Sequence, residues 1–383
     1  MTNKKRILFI TGTRADFGKL KPLIKATIST EHFNALIFVT GMHMLRKYGS
    51  TWEEVNKSNL GSISTFINQN DTDQMDSILA KTISGLSDFV KEESPDLIVI
   101  HGDRLEALAG AIVGAFNNIR VAHIEGGEIS GTLDEIVRHS ISKMSHFHFV
   151  SNMSSRNRLL QMGEHVSRIH VIGSPEVDVM KSESLPSIDD VRSRYSISFD
   201  KYNILIFHPV SFEYSLLRNH VSEIVKFVSN SIENFVVIYP NNDKGSDVIF
   251  DEYSKLNGLK NVRLIPSMRF EYYLTALMNA QAIIGNSSSG VREAPAFGIP
   301  SVNIGSRQSN RSNSKSIINC DAKAEDIENA LSLALEIDTI PIYEFGEGNT
   351  ASNFIEILGL EDFWKLPVHK QFVDLDEFRE GSE

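Results

Sequence analysis

Short apolar runs alternate with amphipathic helical patterns along the chain, and this rhythm predicts an α/β protein. In the first half the runs cover residues 6–11, 35–41, 96–101, 120–125, 146–150 and 168–173. In the second half they cover residues 203–209, 235–240, 262–266, 281–286 and 301–305. Continuous valine, isoleucine and leucine runs suit strands that helices cover on both faces. The pattern therefore predicts two doubly wound parallel sheets, one in each half.

Composition and charge narrow the class of protein. The chain has 383 residues, 41% of them apolar, which is enough for two domains with full cores. A net charge of −11 without a dense basic block argues against general binding to nucleic acid or to an anionic membrane. The single cysteine, Cys320, cannot form an internal disulfide, which favours a reducing cytoplasm. The first apolar run is too short for a signal peptide, and we expect no membrane span.

Polar motifs follow six of the predicted strands, at their carboxyl ends. In chain order they are TGTRADFG, HGDR, HIEGGE, FHPV, YPNND and GNSSSGVRE. The carboxyl ends of parallel strands line the ligand crevice of an open α/β sheet. Glycine, asparagine, aspartate and serine also end strands by ordinary turn chemistry, so one such motif alone is weak evidence. Six in one chain favour a binding site.

The stretch NSSSGVRE, residues 286–293, has the composition of an anion site. Asparagine and serine can cap a helix that starts near Ser289, and its N–H groups and dipole then favour a phosphate. Glu293 would repel that phosphate unless it accepts hydrogen bonds from the two hydroxyls of a ribose. The alternative is a plain capped helix, in which Glu293 interacts favourably with the dipole.

A second group of candidates comprises Asp103 in HGDR, Glu125 in HIEGGE and Asp134 in the next helix. Carboxylates that share a cleft raise one another's pKa toward neutrality, which suits proton transfer. A divalent-metal site is the alternative interpretation of the same acids. His101 and His123 occupy alternating strand positions, where core histidines are usual, so we expect no metal.

Three further polar residues are candidates for supporting roles. Arg138 and His139, on the helix after the glycine-rich HIEGGE loop, could organise the acids. His43 in TGMHM follows a predicted strand and could line a crevice, although its neighbours are typical of a core.

Both halves carry an ordered set of motifs, namely TGTRADFGKLKPL, TGMHML, HGDRLEALAG, HIEGGEISGTLDE, RHSISK, FHPV, YPNND, RFEYYL and GNSSSGVREAPAFGIPSVNIGSRQSNR. In these motifs the chain resembles the hydrolysing UDP-N-acetylglucosamine 2-epimerases of bacterial sialic acid biosynthesis, from about residue 6 to FVDLDEF near the C terminus. The resemblance implies two Rossmann-like domains in a GT-B-like arrangement, with a nucleotide-sugar cleft between them. The expected segments are residues 1–175, residues 176–362, and residues 363–383 packing back on the first domain.

The resemblance also implies roles for individual residues. Asp103, Glu125 and Asp134 match the catalytic carboxylates, His208 matches a histidine near the phosphate and hexose, and Glu293 matches the ribose-binding acid. The set expected to bind the UDP part is Arg14, Gly18, Arg104, His208, Asn241, Met268, Ser287, Ser288, Gly290, Glu293 and Arg307. No cofactor is implied, and the expected partners are a UDP-sugar and further copies of the chain in a homodimer or tetramer.

The implied reaction begins with departure of UDP, because a C2–H bond without an adjacent carbonyl is not acidic. A carboxylate then removes the C2 proton to give 2-acetamidoglucal. Water adds at C1 and a proton returns to C2 from the opposite face, yielding N-acetylmannosamine. Two faces need two proton-handling groups. We favour Asp103 and Glu125 near C1, and Asp134 as a proton donor or acceptor.

Four other functions stay open from the sequence. A non-hydrolysing epimerase would return UDP to the glycal, but HIEGGEISGT and FHPV differ from the HVEAGLRT and GHRRE patterns typical of that group. A legionaminic-acid enzyme would act on a UDP-2,4-diacetamido-trideoxyhexose, whereas SGVREAPAFGIPSVN is closer to the N-acetylglucosamine branch. A GT-B glycosyltransferase would need an acceptor sugar, and a regulator would bind a UDP-sugar without turnover.

Overall fold

The computed structural model describes residues 4–70, 72–130, 133–240, 243–308, 311–312 and 314–374, which form two compact units. Unit 1 takes its described residues from Met1–Glu128, Asp134–Ser182 and Phe345–Glu383. Unit 2 takes them from Ile129–Leu133 and Glu183–Glu344.

Unit 1 contains a seven-stranded sheet in its described part. In chain order the strands are β1 (Lys5–Thr11), β2 (Phe33–Val39), β3 (Ser62–Thr65), β4 (Leu97–His101), β5 (Arg120–Ile124), β6 (Phe147–Val150) and β7 (Ile169–Val171). Neighbouring strands are parallel and lie in the order β3-β2-β1-β4-β5-β6-β7. The order reverses between β1 and β4, so their carboxyl ends form the topological switch point.

Unit 2 contains a six-stranded parallel sheet within its described ranges. Its strands are β8 (Asn203–Ile206), β9 (Phe235–Ile238), β10 (Val262–Ile265), β11 (Ile283–Gly285), β12 (Ser301–Ile304) and β13 (Ile317–Cys320). Their order is β10-β9-β8-β11-β12-β13, and every neighbouring pair is parallel. The switch point of this sheet lies between β8 and β11.

Helices connect the strands of both sheets. The α-helices are α1 (Arg14–Ile28), α2 (Trp52–Lys57), α3 (Met75–Glu93), α4 (Leu105–Phe116), α5 (Leu133–Met144), α6 (Met153–Gln161), α7 (Pro175–Met180), α8 (Ile188–Tyr195), α9 (Leu217–Asn230), α10 (Ser246–Tyr253), α11 (Phe270–Met278), α12 (Glu293–Phe297), α13 (Ala324–Glu336), α14 (Thr350–Gly359) and α15 (Glu361–Lys365). Short 3₁₀ helices cover Gly41–Met44, Arg46–Tyr48, Val166–Arg168, Ser211–Leu216, Ser254–Leu256 and Ser288–Gly290. Among the helices of the described ranges, none has the length and apolar character needed to span a bilayer.

The central strand β1 shows why the apolar runs are continuous. Ile7 and Phe9 pack into a core cluster with residues of α1 and α14. Leu8 and Ile10 pack into a separate cluster with residues of α3 and α4. Successive side chains of a strand point to opposite faces, so a sheet with helices on both faces needs apolar residues at every position. The prediction of two doubly wound, Rossmann-like parallel-sheet domains is confirmed.

Among the strands of the described ranges, the pattern does not predict β3 and β13. Each lies at an edge of its sheet, β3 beside β2 and β13 beside β12. β3 reads Ser-Ile-Ser-Thr, with both end residues exposed, and β13 reads Ile-Ile-Asn-Cys, with its asparagine exposed. Edge strands are covered less completely than central ones, so their sequences need no continuous apolar run.

Helices α7 and α14 explain where the chain changes units. The resemblance implies boundaries after residues 175 and 362, whereas the chain leaves unit 1 after Ser182 and returns at Phe345. Glu176 of α7 forms an ion pair with Lys19 of α1. Phe354 of α14 is fully buried in the core of unit 1. These contacts attach both helices to the first sheet.

The described residues after α15, which reach residue 374, lie on unit 1. Arg168 donates to the carbonyl of Pro367 over 2.8 Å. Lys370 donates to three carbonyl oxygens at the C-terminal end of α5 and lies 2.7 Å from the buried carboxylate of Glu164. Burial lowers the pKa of Lys370 to about 8.

Candidate functional site

The switch point of the first sheet carries two of the polar motifs. Thr13 and Arg14 follow β1, and Asp103 and Arg104 follow β4. Thr13 caps α1, and Asp16 accepts hydrogen bonds from the backbone N–H groups of Gly12 and Thr13, both over 3.0 Å. This capping box fixes the loop that presents Arg14.

Glu125 occupies an unusual backbone position directly after β5. It is a non-glycine residue with φ of +62°, in the left-handed region, and its side chain is buried. Its N–H donates to the carbonyl of Phe149 over 2.9 Å. Left-handed backbone disfavours a residue with a β-carbon and persists where the surroundings enforce it, often at functional sites.

Both carboxylate oxygens of Glu125 face defined partners. Oε1 accepts a hydrogen bond from the hydroxyl of Ser174. Oε2 lies 3.1 Å from Nε2 of His101, the last residue of β4. The carboxylate is thus held at the carboxyl edge of the sheet in one orientation.

Arg138, on α5, joins two of the predicted acids. Its Nη2 forms an ion pair with Asp103, and its Nη1 donates to the backbone carbonyl of Glu125 over 2.8 Å. Asp134 lies one turn earlier on the same face of α5. The structure therefore brings Asp103 and Glu125 together through one buried guanidinium. His139, the other organising candidate, has its Nε2 3.8 Å from a carboxylate oxygen of Glu135.

His123 is a core residue, as its strand position indicates. Its Nε2 lies 2.8 Å from the carbonyl oxygen of Gly102 and its Nδ1 lies 3.0 Å from the hydroxyl of Ser142. Burial lowers the pKa of His123 to about 3, so the ring is neutral and Nε2–H donates to the carbonyl. Both ring nitrogens are therefore occupied, and the ring supports the turn that carries Asp103.

His43 is likewise a buried, neutral residue. Its Nε2 lies 3.0 Å from the Thr11 hydroxyl and its Nδ1 lies 2.6 Å from the Thr51 hydroxyl. Burial lowers the pKa of His43 to about 4. These contacts favour a structural role in holding the loop after β2.

Arg14, Gly18 and Arg104 are the UDP candidates of unit 1. The Arg14 guanidinium forms a bidentate pair with Glu54 of α2, over 2.9 Å from Nε and 2.8 Å from Nη2. Gly18 is buried in α1. Nε of Arg104 lies 3.4 Å from the carboxylate of Glu106. Both arginines thus have a carboxylate neighbour, which keeps each guanidinium oriented.

At the switch point of the second sheet, the side-chain amide of Asn286 bonds to the backbone of His208. Asn286 follows β11; its Oδ1 accepts from the backbone N–H of His208 over 2.6 Å, and its Nδ2 donates to the His208 carbonyl over 2.9 Å. The carbonyl of Asn286 accepts from Nη1 of Arg307 over 3.0 Å and from Nε2 of Gln308 over 2.9 Å. The structure thereby brings His208, Asn286 and Arg307 together.

The helix expected to start near Ser289 starts later. A 3₁₀ helix covers Ser288–Gly290, capped by the side chain of Ser287, and α12 begins at Glu293 and has five residues. Pro295 explains the difference, because a proline inside a longer helix would remove a backbone hydrogen bond, whereas it is tolerated in the first turn. The expected start of the helix near Ser289 is therefore wrong, whereas the phosphate site at Ser287 and Ser288 stays a prediction.

The other UDP candidates of unit 2 have different environments. Glu293 is buried at the start of α12, and Met268 is buried between β10 and α11. A β-carbon on Gly290 would lie 2.6 Å from the Ser301 hydroxyl, so packing against β12 already requires glycine there. Asn241 lies outside the described residues.

Two partners of Glu125, Ser174 and His101, do not follow from the motifs. Ser174 occurs in GSPEVD, where a serine before a proline is typical of a helix N-cap, and it does cap α7. The strand position of His101 predicts a core histidine. Their contact with Glu125 joins residues far apart in sequence, and motif spacing does not show such contacts.

The family model and the similar proteins described below are all named as 2-epimerases of nucleotide sugars. The family model described as UDP-N-acetylglucosamine 2-epimerase matches residues 25–359. A UDP-N-acetylglucosamine 2-epimerase of Neisseria meningitidis serogroup B is 44% identical over 376 residues, covering 97% of this chain and 100% of that protein. A Legionella pneumophila protein named UDP-N,N'-diacetylbacillosamine 2-epimerase (hydrolyzing) is 33% identical over 97% of this chain and 98% of its own length.

The fold has solved relatives. The crystal structure of Methanocaldococcus jannaschii UDP-GlcNAc 2-epimerase, in complex with UDP-GlcNAc and UDP, matches with a TM-score of 0.76. The match covers 92% of this chain and 99% of the Methanocaldococcus chain, and the two sequences are 23% identical. At that identity the match supports the fold.

Proposed function

The chain belongs to the UDP-N-acetylglucosamine 2-epimerase family, and from this premise we propose that it is a hydrolysing 2-epimerase. It would convert UDP-N-acetylglucosamine and water to N-acetylmannosamine and UDP, in sialic acid biosynthesis. The observation that carries the proposal is the group of acids in unit 1, where Arg138 joins Asp103 to Glu125. The Legionella relative, whose name includes hydrolysis, supports release of the free sugar.

The residues of unit 2 supply the nucleotide end of this proposal. Arg307 and the hydroxyls of Ser287 and Ser288 would bind the diphosphate, and Glu293 would accept from the ribose hydroxyls. His208, held by Asn286, would stabilise the charge that develops on departing UDP. Arg14 of unit 1 would add a second guanidinium.

The acids of unit 1 supply the proton transfers. Once the C1–O bond ionises, one carboxylate removes the C2 proton and forms 2-acetamidoglucal. Water then adds to C1, and a second acid returns a proton to the opposite face of C2. Asp103 and Glu125 have different environments, since the Asp103 carboxylate pairs with Arg138 whereas the Glu125 carboxylate faces Ser174 and His101. Such a difference allows two acids to take different roles.

A related substrate is the second candidate. The Legionella relative is named for UDP-N,N'-diacetylbacillosamine, a 2,4-diacetamido sugar nucleotide. The Neisseria relative is more similar, 44% against 33% identical over equal lengths, and it is named for UDP-N-acetylglucosamine. We therefore favour N-acetylglucosamine as the sugar.

Turnover of both sugar nucleotides in H₂¹⁸O, without any acceptor, tests the proposal. Mass spectrometry should find UDP without ¹⁸O, because water attacks C1 and the C1–O bond breaks. UDP should be released faster from UDP-N-acetylglucosamine than from the diacetamido compound. Faster turnover of the diacetamido compound would transfer the proposal to that sugar. UDP that carries ¹⁸O, or no release without an acceptor sugar, would contradict hydrolytic elimination.

A further inference from the structure

Ser174 is fully buried at the N-cap of α7, and its hydroxyl donates to Oε1 of Glu125. We propose that Ser174 is a positioning residue for Glu125, and that its hydroxyl holds the carboxylate in the orientation and ionised state needed for proton transfer. The inference rests on the proposed function.

The direction of the hydrogen bond follows from the neighbours of Ser174. Its Oγ accepts from the backbone N–H of Glu176 over 3.3 Å. A backbone N–H can only donate and an ionised carboxylate can only accept. The hydroxyl hydrogen therefore points to Glu125. A donor to a carboxylate favours its charged form, which is the form that removes a proton.

The backbone of Ser174 is fixed by residues of α14 and the segment before it. Its N–H donates to the carbonyl of Phe345 over 2.6 Å, and its carbonyl accepts from the hydroxyl of Thr350 over 3.0 Å. Both partners belong to unit 1. The hydroxyl is thus in place before substrate binds, and a pre-organised donor needs no reorganisation during the reaction.

The backbone and side chain of Glu125 are held by different groups. Arg138 donates to its carbonyl over 2.8 Å, while Ser174 and His101 face the two carboxylate oxygens. Loss of the Ser174 hydroxyl would leave the left-handed backbone in place and remove the hydrogen bond that Ser174 donates to Oε1. The variant should therefore act on chemistry and leave nucleotide binding unchanged, because Ser174 is not among the residues that we assign to the nucleotide.

Three variants test the inference against wild type. Ser174→Ala removes the hydroxyl; Ser174→Gly does the same and retains a favourable N-cap residue. Ser187→Ala is the matched control, because Ser187 also caps a helix, α8, through its hydroxyl and lies in unit 2. The readouts are kcat, KM and kcat/KM against pH with UDP-N-acetylglucosamine, and UDP affinity by calorimetry.

The Ser174 variants should lose about ten- to a hundredfold in kcat, as expected for a hydrogen bond to a charged group. The acidic limb of kcat/KM should move to higher pH by about one unit, because a carboxylate without its donor takes up a proton more readily. KM and UDP affinity should stay within about twofold, and the Ser187→Ala profile should overlay wild type.

Suppose that the wild type turns over and that the acidic limb does not move in whichever Ser174 variant folds. This result would overturn the inference and leave the proposed function intact. A shift of equal size in Ser187→Ala would overturn it as well, since helix capping would then explain the effect. Absence of turnover by the wild type would contradict the proposed function and, with it, this inference.

Discussion

Arg138 contacts two acids whose separation in the sequence is large. Asp103 follows β4, and Glu125 follows the neighbouring strand β5. The carboxyl ends of adjacent parallel strands meet at one edge of a sheet, so their proximity is predictable from the strand pattern. The guanidinium that joins them comes from α5, and its reach depends on how that helix packs. Sequence could suggest Arg138 as an organiser but not its two contacts.

Replacement of Asp103 by asparagine should separate chemistry from binding. Asp103→Asn keeps the size of the side chain and removes the charge that pairs with Arg138. We expect kcat to fall by about 10²–10⁴-fold, the usual contribution of a general acid or base. UDP affinity, measured by calorimetry, should stay unchanged because Asp103 is not among the residues that we assign to the nucleotide. A variant that turns over at the wild-type rate would remove Asp103 from the mechanism.

Replacement of Glu293 should instead weaken the binding of UDP. Glu293→Ala removes the buried acid assigned to the ribose, and UDP binding should weaken by about ten- to a hundredfold. Glu325→Ala is the control, because Glu325 is an exposed glutamate in the first turn of α13 in the same unit. Equal UDP affinity for Glu293→Ala and wild type in calorimetry would refute the ribose assignment.

At the scale of elements, the pattern predicted the central strands better than the ends and edges. Runs such as 203–209 extend past the observed end of β8, because the apolar and proline residues after the strand line a buried loop. Edge strands β3 and β13 lack the pattern, and α12 is short because of Pro295. The motif positions were predictable from strand ends, whereas Ser174 and His101 required tertiary packing.

Helix α14 depends on a carboxylate from α7. Asp178 accepts from the N–H groups of Thr350 over 2.9 Å and Ala351 over 2.7 Å, which satisfies two donors at the helix start. Asp178→Ala should cost about 2 kcal/mol and lower the unfolding midpoint by about 4–8 °C. Asp189→Ala, at an exposed first-turn position of α8, should lower it by less than about 2 °C. Equal midpoints by calorimetry would show that α14 needs no such cap.

At the scale of the whole molecule, several histidines are buried in neutral form. Burial lowers the pKa of His43 and of His146 to about 4 and that of His123 to about 3. In the unfolded chain each titrates near 6.5. Between these values the unfolded state binds more protons than the folded state, so the stabilising contribution is present above pH 6.5 and is lost as pH falls.

Acid should therefore destabilise the protein well above the range in which carboxylates titrate. Each such histidine contributes a slope of up to about 1.4 kcal/mol per pH unit below pH 6.5. The thermal midpoint should fall steadily from pH 7 to pH 5. The midpoint of His146→Asn should fall less steeply, because asparagine does not titrate. Its amide oxygen can still accept from the Val121 N–H, as Nδ1 of His146 does over 3.0 Å. A midpoint that stays constant over this range would contradict neutral burial of these rings.

Proton NMR of the reaction with UDP-N-acetylglucosamine in D₂O tests the central claim most directly. Elimination and rehydration predict free UDP together with N-acetylmannosamine that carries deuterium at C2, since the C2–H bond breaks and solvent supplies the new deuteron. Accumulation of UDP-N-acetylmannosamine would contradict the hydrolytic route. Release of N-acetylglucosamine with its original C2 proton would contradict epimerisation.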